Sequence, residues 1–81
     1  MRLDKFLKVS RIIKRRTVAN DAAAGGRVSV NGKPAKPGAD VKTGDVLEIR
    51  FGERVSRYEI LTTSEHAAKA EASSMYRSLS P

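Results

Sequence analysis

The chain has 81 residues, room for one small domain with a correspondingly small core. It has no cysteine and one histidine, which excludes a disulfide framework, a thiolate or multi-histidine metal site and a thiol nucleophile. Sixteen Lys and Arg stand against nine Asp and Glu, a formal +7, so the favoured partner is a polyanion: nucleic acid first, an anionic membrane surface second.

The charge is concentrated at the start. Residues 1–16 carry Arg2, Lys5, Lys8, Arg11, Lys14, Arg15 and Arg16 against Asp4 alone, whereas residues 17–60 are close to balanced. The period predicts a first helix from about Leu3 to Ser10, with Asp4 in its first turn, where negative charge meets the positive end of the dipole. On a helical projection Leu3, Phe6, Leu7 and Ile13 fall on one side, and Lys5, Lys8, Arg11, Arg15 and Arg16 on the other. A helix needing only solubility would mix signs on its polar face. This one is almost purely cationic.

A second helix is predicted over Arg15 to Ala24, closed by Gly25-Gly26. One continuous helix through both segments would not bury its apolar stripe in so small a domain, so a helix–turn–helix is expected. After Gly26 the period becomes two. Arg27 to Val30 reads as a strand, and Asn31-Gly32 as a tight hairpin turn. Lys33-Pro34-Ala35-Lys36-Pro37-Gly38 reads as loop, because two prolines remove two donors. Lys42 to Asp45 is a further turn, Val46 to Phe51 a strand, Gly52-Glu53 a turn, and Val55 to Leu61 the last strand. The expected core sets Val28, Val30, Leu47, Ile49 and Phe51 against Leu3, Phe6, Leu7 and Val18. From Thr62 onward the chain is polar and alanine-rich. A short helix over His66 to Tyr76, anchored by Met75 and Tyr76, competes there with a frayed tail. The expected division is therefore a domain at 1–61 and a flexible tail at 62–81.

Four pieces in order and spacing now matter together: Arg2-Leu3-Asp4-Lys5-Phe6-Leu7, Arg16 opening a helix, Gly26-x-Val28-x-Val30-Asn31-Gly32, and Lys42-x-Gly44-Asp45-Val46-Leu47. Across about residues 1–51 they resemble an S4-type RNA-binding domain. Within that superfamily, Met1 to Thr17, and above all Lys14-Arg15-Arg16-Thr17, resembles the stand-alone bacterial RqcP-like group, with the Hsp-fifteen-like group next. The segment Glu71 to Tyr76 is similar to the Ala-rich, Tyr-ending stretch that follows the domain in both groups. One position departs from the superfamily pattern: Arg15 stands where Ser or Thr often caps the helix.

The resemblance implies an α+β fold, two packed N-terminal helices on a small twisted, mainly antiparallel sheet, with a short polar C-terminal tail or helix. It implies structured RNA as ligand. For the RqcP-like group it implies work on an obstructed large ribosomal subunit, holding peptidyl-tRNA against rRNA while an RqcH-like partner extends the stalled chain with alanine. For the Hsp-fifteen-like group it implies binding of the same obstructed subunit without tailing. A general rRNA- or tRNA-binding accessory protein is the wider alternative.

A-form RNA is recognised by shape, phosphates and 2′-hydroxyls, and Arg and Lys suit phosphate as forked and point charges respectively. The candidate RNA contacts are Arg2, Lys5, Lys8, Arg11, Lys14, Arg15 and Arg16. Asp4 is expected to orient Arg2 or Arg16 or to serve the helix start, and Asn31 to be a turn residue that could also reach RNA. Aromatic residues are 5% of the chain with no Trp, so base stacking should not dominate. Catalysis is not expected. His66 sits in the polar tail, and Asp40 and Asp45 flank a turn without an apolar pocket. No apolar run approaches the roughly 18 residues of a membrane span, and the start of the chain lacks the apolar stretch of a signal peptide. The expectation is a cytoplasmic, ribosome-associated monomer without cofactor, metal or membrane contact.

Overall fold

The computed structural model describes residues 1–63, 72 and 74–79. Two helices, α1 (Leu3–Val9) and α2 (Arg16–Ala24), precede five strands: β1 (Val28–Val30), β2 (Lys33–Pro34), β3 (Val46–Phe51), β4 (Arg54–Ile60) and β5 (Tyr76–Ser78). The strands form one antiparallel sheet in the order β2-β1-β3-β4-β5. The expected architecture of paired helices on a mainly antiparallel sheet is the one observed.

The helix break has a local cause. Ser10 closes α1, its amide bonding the Phe6 carbonyl, and Arg11 takes φ 63°, the left-handed conformation. The Ile13 amide then bonds back to the Leu7 carbonyl at 3.0 Å, which turns the chain and buries Ile13. The helix ends differ from expectation by one residue each: α1 stops at Val9, and Arg15 is the extended N-cap of α2 rather than its first turn. Helix packing rests on small residues. Ala19, Ala22 and Ala23 are the buried residues of α2, set close against Leu3, Phe6 and Leu7.

Asn31 and Gly32 both have positive φ, 52° and 84°, as a tight hairpin turn requires. The chain leaving that turn is not loop as expected. Lys33-Pro34 is the edge strand β2, paired Val30↔Lys33 and Ser29↔Pro34. The Ala35 amide donates to the Val28 carbonyl at 3.0 Å, so the Pro34 nitrogen points away from β1, where a missing donor costs nothing.

Val28, Leu47, Ile49 and Ile60 form the sheet side of the core, with Val30 partly buried at its margin. Two expected core residues are outside it. Val18 is 42% exposed, because α2 presents its alanines inward and leaves this position to solvent. Phe51 is 45% exposed. It lies beyond the last paired residue of β1, Val28↔Ile49, and so has a strand neighbour on one side only.

Most of the helix predicted over His66 to Tyr76 lies outside the described residues. Its two proposed anchors are placed. Met75 is buried in the core and its carbonyl accepts from the Leu61 amide at 2.8 Å. Tyr76 opens a strand, β5, opposite Ile60, and meets Tyr58 edge-to-face with ring centroids 5.2 Å apart.

Candidate nucleic-acid interface

The N-terminus of the chain is fixed by the loop that precedes β3. Arg2 and Asp40 form an isolated antiparallel bridge, and the Leu3 and Asp4 amides bond the Ala39 and Pro37 carbonyls at 2.8 and 3.1 Å. With the helix start held there, Asp4 points its carboxylate into the α1–α2 junction, where its side chain is 3% exposed. A buried carboxylate must be satisfied, and this one is. It accepts from Arg2 Nε at 3.2 Å and Nη2 at 3.3 Å, from the Lys5 amide at 2.8 Å and from Asn20 Nδ2 at 3.4 Å, and Arg16 Nη2 lies 3.6 Å away. Burial pushes the Asp4 carboxyl up. The hydrogen bonds from Arg2, Asn20 and Lys5, with the Arg16 charge, outweigh burial and hold it below its ordinary value.

Asp4 thus brings Arg2, the N-cap of α1, and Arg16, the first residue of α2, to one point. Their side chains remain 55% and 50% exposed, so each guanidinium keeps donors toward solvent. Lys8, Arg11, Lys14 and Arg15 are exposed, and Lys5 is half-buried. Lys8, Arg11, Lys14 and Arg15 have no carboxylate within ion-pair distance among the described residues. No side chain caps α2 at Arg15, and no acidic residue lies in its first turn. The positive end of that dipole therefore carries two arginines, an arrangement that costs stability and that an anion would relieve.

Asn31 is separate from this group. It is engaged in the fold: Nδ2 donates to Asp45 Oδ1 at 3.1 Å, and Oδ1 accepts the Val46 amide at 3.0 Å. Asp45 also accepts the Lys42 amide at 3.0 Å, so the hairpin turn and the turn before β3 are tied together. Asp40 pairs with the Met1 ammonium at 2.8 Å, and that hydrogen bond and charge hold its carboxyl low. His66 lies outside the described residues.

Asn20 was not singled out by the sequence, although it sits four residues after Arg16 on the same helix face and completes the Asp4 cage. That spacing was the available signal. Among the described residues no group of three His, Cys, Asp or Glu could hold a metal ion, and no helix is long and apolar enough to cross a membrane.

A cationic helix pair set on a small antiparallel sheet defines a class of nucleic-acid-binding module, and comparison with known proteins agrees. The S4 domain model matches residues 1–47, and the chain belongs to that family, within the group of RQC P-site tRNA stabilizing factors. It is 57% identical over 76 residues to the RQC P-site tRNA stabilizing factor of Listeria innocua, covering 94% of this chain and 83% of that protein. It is 50% identical to the factor of that name from Streptococcus pneumoniae, covering 99% and 91%. Among solved structures, trimeric Vibrio cholerae heat shock protein 15 superposes with a TM-score of 0.86 at 34% identity, covering 96% of this chain and 80% of that one.

Proposed function

We propose that this chain is an RNA-binding factor of ribosome-associated quality control. In this reading it uses the cationic side of α1 and α2 to hold peptidyl-tRNA on an obstructed large ribosomal subunit, and so supports alanine tailing of the stalled chain by an RqcH-like partner. The observation that carries the reading is the Asp4 cage. A buried carboxylate aligns Arg2, at the start of α1, and Arg16, in α2, while Lys8, Arg11, Lys14 and Arg15 stand exposed nearby in sequence without carboxylate partners among the described residues. The names carried by its close relatives support tRNA as one ligand.

The chemistry required is binding alone. Arg2 and Arg16 fork onto phosphate oxygens with the donors that Asp4 leaves free, and the exposed lysines and arginines add point and forked charges along the RNA backbone. Asp4 and Asn31 act by positioning. With about five phosphates neutralised, log affinity should fall against log salt with a slope near −4, so that doubling the salt weakens binding about sixteenfold. The factor works in the cytoplasm as a monomer and performs no reaction itself.

The deciding experiment is affinity purification of the tagged protein under mild salt. Recovery of free large subunits with peptidyl-tRNA and an RqcH-like protein supports the reading. Recovery of the subunit and tRNA without the tailing partner supports the heat-shock-type role instead. Arg16→Ala should fold normally and lose that recovery; full recovery with this variant overturns the contact assignment.

A further inference from the structure

We propose that the end of the sheet at the β3–β4 turn is a second RNA-contacting edge, in which Arg27 and Arg50 on one face hold a backbone phosphate and Phe51 with Arg54, on the opposite face at the same end, stacks an unpaired base.

The register brings these residues together. Val28 pairs with Ile49 and Ser29 with Glu48, and one step further the Arg50 amide donates to the Arg27 carbonyl at 2.8 Å. Arg27 and Arg50 are thus opposed just past the end of the β1–β3 ladder, joined by that one bond because the Arg27 amide donates to the Ala22 carbonyl, and opposed residues project to the same side of the sheet. Like charges directly opposed on a sheet are destabilising.

The rest of that face shows how the fold treats an arginine it wants neutral. Arg57 lies opposite Glu48 and bonds it at 3.2 Å, and Arg77 lies opposite Glu59 and bonds it as well. Arg27, Arg50 and Arg54 have no such carboxylate and no side-chain hydrogen bond among the described residues. The one acidic residue of the turn, Glu53, forms no ion pair with them among the described residues. Three guanidinium groups are thus left open at one end of the sheet, Arg27 and Arg50 on this face and Arg54, registered with Phe51, on the other.

The same end carries the exposed aromatic ring. Phe51 is 45% exposed while Phe6 is fully buried, and its registered partner is Arg54. Gly52 turns the chain at φ 59°, and a Cβ there would meet nothing within 4 Å, so the approach to the turn is open. An exposed ring with an arginine registered beside it offers a base a surface to stack on, and a pair of neighbouring guanidinium groups suits a phosphate. Phe51 and Val55, the exposed apolar residues of this end, project to opposite faces and stand among three cations, too little continuous apolar surface for a membrane. The length of α2, about 13 Å for nine residues, separates Arg16 at one end from Arg27 just past the other. A single folded RNA can touch both surfaces.

The inference rests on the RNA-binding reading, and the two are tested separately in one assay. The probes are a fluorescein-labelled RNA hairpin with a uridine-rich loop and a fully paired duplex of the same stem, titrated by anisotropy over a range of salt. The double variant R27Q/R50Q should weaken binding of both RNAs about tenfold and flatten the salt slope by about 1 to 2. It should melt at or above the wild-type temperature, because the opposed charges are gone. Phe51→Leu should weaken the hairpin about tenfold and leave the duplex unchanged. Arg27→Gln and Arg50→Gln made singly should each show part of the effect, which covers any misfolding of the double variant. Unchanged affinity and slope in R27Q/R50Q, or a Phe51→Leu that affects both RNAs equally or neither, overturns the inference. If Arg16→Ala still weakens binding in that case, the RNA-binding reading stands without it; if Arg16→Ala is also silent, both fail.

Discussion

The carboxylate of Asp4 on α1 lies 3.6 Å from the guanidinium of Arg16 on α2, and the same carboxylate accepts two hydrogen bonds from Arg2. One buried anion therefore sets the direction of two half-exposed cations. Asp4→Asn keeps the shape and removes the charge. Losing a partner of a fully buried pair costs about 3–5 kcal/mol. Here both guanidinium groups are half in water, so the expected loss is nearer 1–2 kcal/mol, read from urea unfolding. RNA affinity should fall several-fold at the same time, because Arg2 and Arg16 lose their alignment.

The pH dependence follows from the same group. Burial pushes the Asp4 carboxyl up, but its donors and Arg16 prevail and its folded value lies below the ordinary one. A depressed carboxylate contributes stability that is fully present above the unfolded value, about 3.9, and is lost as pH falls through the folded value. The gap in stability between wild type and Asp4→Asn should be constant above about pH 5 and should shrink as pH falls below about 4. Urea midpoints of both proteins across that range check it. A gap that widens on acidification would contradict the Asp4 assignment.

Arg15 occupies the N-cap of α2 without capping it. Arg15→Ser restores an acceptor for the first amides and removes a cation from the positive end of the dipole. The expected gain is about 1 kcal/mol in stability. Binding to a structured RNA should weaken and its salt slope should flatten by about 1. Thermal melting and a salt titration on one preparation test both halves. A variant that is stabilised and binds as well as wild type would show that Arg15 does not touch RNA.

Arg11 takes the left-handed conformation that glycine adopts freely. Holding a side chain there costs about 1 kcal/mol or more, partly offset in Arg11→Gly by the greater freedom of glycine in the unfolded chain. The substitution should be neutral to stabilising, by up to about 1 kcal/mol, and should cost one phosphate contact. A salt slope unchanged from wild type would remove Arg11 from the interface.

Much of the fold was legible in the sequence because its signals are local. Periodicity gave both helices, Asn31-Gly32 the hairpin and Gly52 the second turn, each within a residue or two of its place. The errors share a cause: they needed tertiary information. Pro34 looks like a strand breaker until its nitrogen is known to face away from β1. Val18 and Phe51 look like core until α2 is seen to pack through alanines and β3 to outrun its neighbour. Tyr76 belongs to a strand because Ile60 and Tyr58 are there to receive it, which its own neighbours in sequence do not reveal. In the candidate interface the cations were visible as a run. Asp4 was legible as the group that orients Arg2 or Arg16, but Asn20 entered only through the helix–helix contact, and the Arg27–Arg50 opposition only through the pairing of β1 with β3.

The strand order has a kinetic consequence. The β1–β2 and β3–β4 hairpins close over two-residue turns, whereas β1 meets β3 across the interval from Val28 to Ile49 and Arg2 meets Asp40 across a longer one. The two hairpins close cheaply, and the closures that join β1 to β3 and the start of α1 to the loop before β3 follow at a greater entropic cost. Such wiring suits a mixed domain that reaches its native state more slowly than a helical bundle of its size and faster than an all-β barrel.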